Sequence, residues 1–323
     1  MMKELTYAQA IREAMSEEMR RDEHVFFLGE DIGAYGGAFG VSAGMLAEFG
    51  EERVRDTPIS EAGIVGAAIG AAMTGLRPIV EIMFADFVTC CMDAIVNQAA
   101  KTRYMFGGQT SMPIVLRTPA GSGTGAAAQH SQSIEAWLAN VPGIKIVVPS
   151  TPYNAKGLLK AAIRDDNMVI FLEQKLLYRT KGEVPDEDYV IPLGKADIKR
   201  PGKDITVLTY GRMAQLCLSV AEKVDADLEI VDLQTLIPLD RETIIESAKK
   251  TGKIMIVHEA CQTGGFGGEL AAVIAESEAF FYLDAPIRRV CGLDVPIPYN
   301  PVLEAAVVPT ENRLIAAVNE MKG

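Results

Sequence analysis

Residues 61–83, EAGIVGAAIGAAMTGLRPIVEIM, set the fold class. From Glu61 to about Thr74 the run carries Ile64, Val65, Ala67, Ala68 and Ile69 and no second charge before Arg77, which predicts a helix. Pro78 to Met83 is short and rich in apolar β-branched residues, which predicts a buried strand. Working outward, the same switch repeats. Thr6 and Gln9 form a capping box ahead of a helix reaching about Arg20, and VFFLG (Val25–Gly29) reads as a buried strand. Further strands are expected at Pro113–Thr118, Ile144–Val148 and Met168–Leu172, with helices at Asp86–Phe106, Ser131–Ala139 and Pro152–Arg164. Strands alternating with helices predict βα units feeding a parallel sheet, an α/β fold.

The alternation stops between Tyr178 and Lys203. RTKGEVPDEDYVIPLGKADIKRPGK is charged and holds three Pro and three Gly, as a linker does. Beyond it, ITVLTYG, DLEIVDL, KIMIVHE and IRRVCG again alternate with helical stretches. The expected division is a domain over 1–180, a linker over 181–203 and a smaller α/β domain over 204–323.

The whole chain has 323 residues, 49% of them apolar, and a formal net charge of −12. That charge repels a phosphate backbone, so neither nucleic acid nor an anionic membrane is an expected partner. Five Cys without C-x-x-C spacing argue against a disulfide framework or zinc site and fit a reducing cytoplasm. The first residues are charged throughout, unlike a signal peptide, and no apolar window is long enough to span a bilayer.

Two familiar motifs read as accidental. Gly40-Val-Ser42-Ala-Gly44 matches a nucleophile elbow, but a glycine-rich loop precedes it where that motif needs a strand. Gly121-Ser-Gly123-Thr-Gly-Ala126 matches a dinucleotide fingerprint, but the next strand ends at Val148-Pro149 without the required acid. Its glycines are expected to form a loop that approaches another ligand or chain closely. Three other features carry more. Glu61 heads an apolar helix, either as an ordinary acid complementing the helix dipole or as a functional acid held in a dry place. Composition alone favours the first. Gly63, Gly66 and Gly70 of that helix, flanked by alanines, call for the close approach of a second helix from this chain or another subunit. His130, in a loop after a strand and glycines, suits either binding or helix capping; Phe84, Asp86 and Phe87 stand at another strand end, where core packing is the plain alternative.

In order along the chain, GEDIG (Gly29–Gly33), RDTPISEAG (Arg55–Gly63), GLRPIVEIMFADF (Gly75–Phe87), AAQHSQ (Ala127–Gln132), VVPSTPYNAKGLL (Val147–Leu159) and AIRDDN (Ala162–Asn167) resemble one family from end to end. It is that of the β subunits of thiamine-diphosphate-dependent 2-oxo acid dehydrogenases, which includes pyruvate, branched-chain 2-oxo acid and acetoin dehydrogenases. HEACQTGGFGGE (His258–Glu269) is similar to the family's second glycine-rich stretch. The resemblance implies a transketolase-like pyrimidine-binding domain followed by a transketolase-like C-terminal domain. It implies that Glu61 contacts N1′ of the aminopyrimidine, that Ile59 and Phe87 hold that ring, and that His130 is the active-site histidine. The family's G-D-G...N motif for Mg2+ and diphosphate is missing from the sequence. The chain therefore resembles half an active site, completed by an α subunit in an α2β2 heterotetramer that passes acyl groups to a lipoyl-bearing acyltransferase core. A non-catalytic scaffold role is the rival reading. The resemblance further implies a K+ held by carbonyls at Ile114, Ala162, Ile163, Asp165 and Asn167. Gly40 stands where many relatives carry Lys or Arg, and GGAFGVS (Gly36–Ser42) looks closest to acetoin dehydrogenases; acetoin, pyruvate and branched-chain substrates all stay open.

Overall fold

The protein is described here by a computed structural model over residues 1–322. The N-terminal half runs β1 (Met2–Thr6), α1 (Tyr7–Arg21), β2 (Val25–Gly29), α2 (Met45–Phe49), β3 (Val54–Asp56), α3 (Glu61–Met73) and β4 (Arg77–Glu81). It continues with α4 (Ala100–Met105), β5 (Val115–Ala120), α5 (Glu135–Ala139), β6 (Lys145–Val147), α6 (Pro152–Ile163) and β7 (Val169–Gln174). Next come β8 (Lys181–Pro185), β9 (Asp197–Arg200), β10 (Ile205–Thr209), α7 (Arg212–Ala221), β11 (Leu228–Asp232) and β12 (Thr235–Ile237). The chain ends with α8 (Arg241–Thr251), β13 (Ile254–Cys261), α9 (Gly267–Ala275), β14 (Arg288–Gly292), α10 (Pro301–Val307) and α11 (Glu311–Lys322).

Two mostly parallel sheets result, as the βα alternation predicts. The larger has the order β12-β6-β7-β5-β4-β2-β3 and the smaller β14-β13-β10-β11-β9. Thr6 caps α1 through the expected box, its hydroxyl accepting from Gln9 N while the Gln9 side chain accepts from Thr6 N. The buried strands are nearly all apolar because helices cover both sheet faces. One core cluster joins Ile64, Val65 and Ile69 of α3 to Val80, Leu116 and Ile170 of the large sheet and on to Leu208, Leu236 and Ile256 of the C-terminal half. On the other face of the large sheet, α1 and α6 close a second cluster around Tyr7, Ile11, Leu158 and Phe171.

Three local expectations need correction. The segment read as one helix over Asp86–Phe106 is a 3-10 stretch (Ala85–Cys91), a π stretch (Ala94–Ala99) and then α4. The helix read from Ser131 begins only at Glu135, because Gln132 N donates to Asp86 and residues 121–132 stay a loop. The charged stretch after Tyr178 also carries two strands: β8 pairs antiparallel with β1 and β9 with β11. Their charges suit the edges they form. β12, from the C-terminal half, adds antiparallel to β6, so the two halves share the larger sheet.

Candidate functional site

In an open parallel sheet, ligands gather beyond the carboxyl ends of the strands. At those ends of the large sheet stand Glu30 after β2, Phe84 to Phe87 after β4, the loop 121–132 after β5, and Lys175 after β7. Backbone ties place them. Gly33 N donates to Asp56 Oδ1 at 2.6 Å and Thr57 N to Gly29 O at 2.9 Å, so the GEDIG turn is sewn to the segment that leads into α3. A Cβ on Gly33 would meet Asp56 Oδ2 at 2.5 Å, which explains the glycine. α3 starts at Glu61 as expected, although the Ser60 hydroxyl makes no capping bond.

Glu61 is half-buried at the head of α3, beside Glu30 and Cys91. Burial raises the Glu30 carboxyl above its ordinary range, and the charges of Glu61, Asp31 and Glu81 add to the rise. Burial, again with Glu61 nearby, pushes the Cys91 thiol up to about 12. Ile59, two residues before Glu61, is 83% exposed. Within this chain the α3 face formed by Ala62, Gly63, Ala67 and Gly70 lies open, and a Cβ on Gly66 or Gly70 would meet nothing within 4 Å. The close approach those glycines call for is therefore not made by a helix of this chain.

Phe87 and His130 come together. Their ring centroids lie 5.2 Å apart, and Phe84 packs edge-on against both, at 5.6 Å from Phe87 and 4.7 Å from His130. The 3-10 segment carrying Phe87 packs against α3, so the aromatic cluster and Glu61 belong to one end of the sheet. Asp86 beneath the cluster accepts from Gln132 Nε2 at 2.8 Å, while its Oδ2 is buried without a partner. Lys175 donates to the His130 carbonyl and lies 5.4 Å over the Phe84 ring. Burial lowers the Lys175 pKa despite Asp86, Glu259 and Glu304 nearby. Underneath, Arg117 is fully buried between Glu81 and Glu173, with Tyr178 donating to Glu173 at 2.6 Å; this ion triad locks the ends of β4, β5 and β7 together. A cleft of about 460 Å³ opens between the two halves beside Gln132, Trp137, Glu259 and Asp294.

Reading the sequence missed Lys175, Glu30, and Glu259 and Glu304 of the C-terminal half. Lys175 directly follows the buried run VIFLEQ, the strand-end position where binding groups collect, so a signal was present. The two motifs read as accidental behave so. Ser42 is fully buried and donates to Ile32 O at 2.7 Å, and the 121–126 glycines approach the chain's own Glu259, Glu304 and Leu176.

The five residues implied for K+ lie at the opposite, amino end of the sheet. Among the described residues no three His, Cys, Asp or Glu side chains form a metal site, so carbonyls are the donors available. Those of Ile114, Ala162, Ile163 and Asp165 are already engaged. The Arg77 Nη2 donates to Ile163 O at 2.8 Å and Asp165 O at 2.7 Å, Val169 N to Ile114 O at 2.9 Å, and Asp165 N to Ala162 O at 3.2 Å. Asn167 Nδ2 donates to Asp165 Oδ1 at 3.1 Å. Ile163 O already accepts from both Arg77 Nε and Nη2, and Ala162 O from Arg164 N and Asp165 N, so K+ would share the Ile163 and Asp165 oxygens with Arg77.

No described helix is long and apolar enough to cross a membrane. A family model described as the transketolase pyrimidine-binding domain matches residues 3–181, and one described as the transketolase C-terminal domain matches residues 194–314. The 2-oxoisovalerate dehydrogenase subunit beta of Bacillus subtilis is 51% identical over 99% of each chain. The pyruvate dehydrogenase E1 component subunit beta of Rhizobium meliloti is 49% identical over 98% of this chain and 70% of its own. The acetoin:2,6-dichlorophenolindophenol oxidoreductase subunit beta of Bacillus subtilis is 45% identical over 100% of this chain and 98% of its own. Among solved structures, a split-gene transketolase forming an inactive beta4 tetramer shares the fold, with a TM-score of 0.82 at 22% identity over 98% of each chain. The chain thus belongs to the family of β subunits of the thiamine-diphosphate-dependent 2-oxo acid and acetoin dehydrogenases.

Proposed function

We propose that this chain supplies the aminopyrimidine half of a thiamine diphosphate site whose Mg2+ and diphosphate half belongs to an α subunit, in an α2β2 enzyme that delivers acyl groups to a lipoyl arm. The observation that carries this is the open face of α3 directly behind Glu61: small residues exposed on this chain, next to a carboxylate and an aromatic cluster. The residues fit the ring. Glu61 has its carboxylate at the helix head, Ile59 an exposed apolar side chain and Phe87 a partly open aromatic face. When bound, the cofactor supplies a nucleophilic C2 centre, whose formation depends on the tautomer of its aminopyrimidine.

Glu61 holds a proton at N1′ and so sets that tautomer. Phe87 and Ile59 clamp the ring plane and exclude water from it. His130, on a partly exposed loop, moves a proton at the substrate carbonyl oxygen or the lipoyl sulfur, the work for which an imidazole is suited near neutral pH. The substrate is a 2-oxo acid or acetoin. Five free thiols among the described residues accord with a cytoplasmic setting. K+ shared with Arg77 at the 162–167 loop would steady the amino end of the sheet, and melting in KCl against NaCl reads it directly.

Glu61→Gln in the assembled α and β enzyme tests the reading. Assembly is retained and turnover falls about 10²- to 10³-fold, within the range of a lost acid–base group. Unchanged turnover in the assembled variant would leave the chain a scaffold.

A further inference from the structure

His130 is the one proposed catalytic group that sits on a loop rather than on a helix or strand end, and a loop needs something to fix it. Residues 121–132 leave β5 and return to their start, where Gly121 N donates to Gln132 O at 3.1 Å, an Ω-type closure. Gly121, Gly123, Gly125 and Ala127 all have positive φ, at 84°, 100°, 67° and 63°.

The loop's His130 end is tied within the N-terminal half, by Asp86 and Lys175, and its glycine end by the other half of the chain. Glu304 on α10 is 4% exposed, and its two oxygens accept separately from Gly123 N at 2.7 Å and Gly125 N at 3.1 Å. Glu259 at the end of β13 accepts from Ser122 N at 2.5 Å and Ser122 Oγ at 2.7 Å through one oxygen. Its other oxygen accepts from Arg212 Nη2 at 2.7 Å. Three N–H donors, of Ser122, Gly123 and Gly125, around positive-φ glycines form a concavity of the kind that binds anions, and here it is filled by carboxylates of the same chain. Both carboxylates are sequence-distant from the aromatic cluster. Lys175, which holds the His130 carbonyl, lies in the field of both.

We infer that Glu304, with Glu259, is a positioning residue for His130: the C-terminal half sets where the imidazole stands by gripping the glycine end of its loop. The inference rests on the proposed role of His130. A misplacement of the order of 1 Å in a reacting group costs about 10²-fold in rate, so loosening this grip affects the step that His130 serves and spares the one that Glu61 serves.

The test uses the assembled enzyme carrying Glu304→Ala, Glu304→Gln, His130→Ala and the Glu304→Ala/His130→Ala double variant. Hydrogen–deuterium exchange gives a readout independent of the cofactor: in Glu304→Ala the peptide spanning Gly123–Gln132 exchanges about tenfold faster or more while the head of α3 is unchanged. Acyl transfer to a free lipoyl domain falls about 10- to 100-fold in kcat with little change in KM, and proton exchange at C2 of the bound cofactor is kept. Glu304→Gln, which keeps one acceptor oxygen and guards against a failure to fold, falls between wild type and Glu304→Ala. In the double variant the loss equals that of His130→Ala alone. Faster loop exchange with normal transfer, or losses that add in the double variant, would overturn the inference. If His130→Ala itself leaves transfer intact, it is the reading of His130 that fails, and the loop exchange still reports whether Glu304 holds the loop.

Discussion

At the carboxyl ends of the seven-stranded sheet, Glu30, Phe84, His130 and Lys175 leave the strands for a partly open surface, whereas at the same ends of the five-stranded sheet Tyr210, His258 and Cys291 are packed against one another. His258 is fully buried; its Nε2 lies 3.2 Å from Cys291 Sγ, and Tyr210 stacks on its ring at 6.0 Å. Gly265 and Gly267 press on the other side, where a Cβ would meet the ring at 2.7 Å and 2.6 Å. Burial lowers the His258 pKa to about 4 and raises the Cys291 thiol to about 11, so this pair is neutral and inert near neutral pH. Two histidines near the carboxyl ends of two parallel sheets, His130 in a loop and His258 within β13, thus have opposite fates. Strand-end position marks where a site can form; glycine packing and burial decide whether it does.

The strongest way to break this comparison is at Glu61, where the Gln variant loses activity about 10²- to 10³-fold without loss of stability. Next comes an exchange of roles between the histidines. His130→Ala lowers acyl transfer about 10²-fold at unchanged Tm, while His258→Ala keeps the kcat of the assembled enzyme and costs about 2–4 kcal/mol in denaturant unfolding through the cavity it leaves. A His258 variant with lowered kcat and normal stability would erase the distinction.

The pH dependence of folding gives a smaller effect. Because the folded pKa of His258 lies near 4 against an ordinary 6.5, the unfolded chain binds more protons between those values. Stability from His258 is therefore complete above about pH 6.5 and is lost as the pH falls towards 4, by a few kcal/mol at most. The wild-type minus His258→Gln difference in unfolding free energy shrinks over that window; a difference flat with pH would show that the ring is not held neutral. The smallest effect concerns the open face of α3. Gly66→Ala and Gly70→Ala each stabilise the free chain by about 1 kcal/mol, since a helix interior favours Ala and nothing lies near either Cβ. The same changes weaken assembly with the α subunit in sedimentation, and unchanged assembly would mean that no partner helix sits there.

The alternation of short apolar runs with helical stretches made both sheets legible, because buried parallel strands must be apolar on two faces. β1, β8 and β9 left no such mark, since their side chains are half-exposed or charged, and β12, though buried, is only three residues long; all four are pairings that distant segments decide. The break in the predicted Asp86–Phe106 helix was illegible for a related reason, since its 3-10 and π turns follow from packing on α3 and from the Asp86–Gln132 contact, both tertiary. Glu61 was legible as a charge at the head of an apolar helix. Its role was not legible from composition, and only the resemblance of the surrounding motifs pointed to it. The grip of Glu259 and Glu304 on the His130 loop had no local signal, for it joins residues 137 to 181 positions apart.

Calorimetric titration of thiamine diphosphate and Mg2+ into this chain alone, and into the chain mixed with an α-type subunit carrying G-D-G...N, tests the shared site most directly. The account predicts little or no heat of binding for the isolated chain and tight, Mg2+-dependent binding for the mixture. Tight Mg2+-dependent binding by the isolated chain would contradict it.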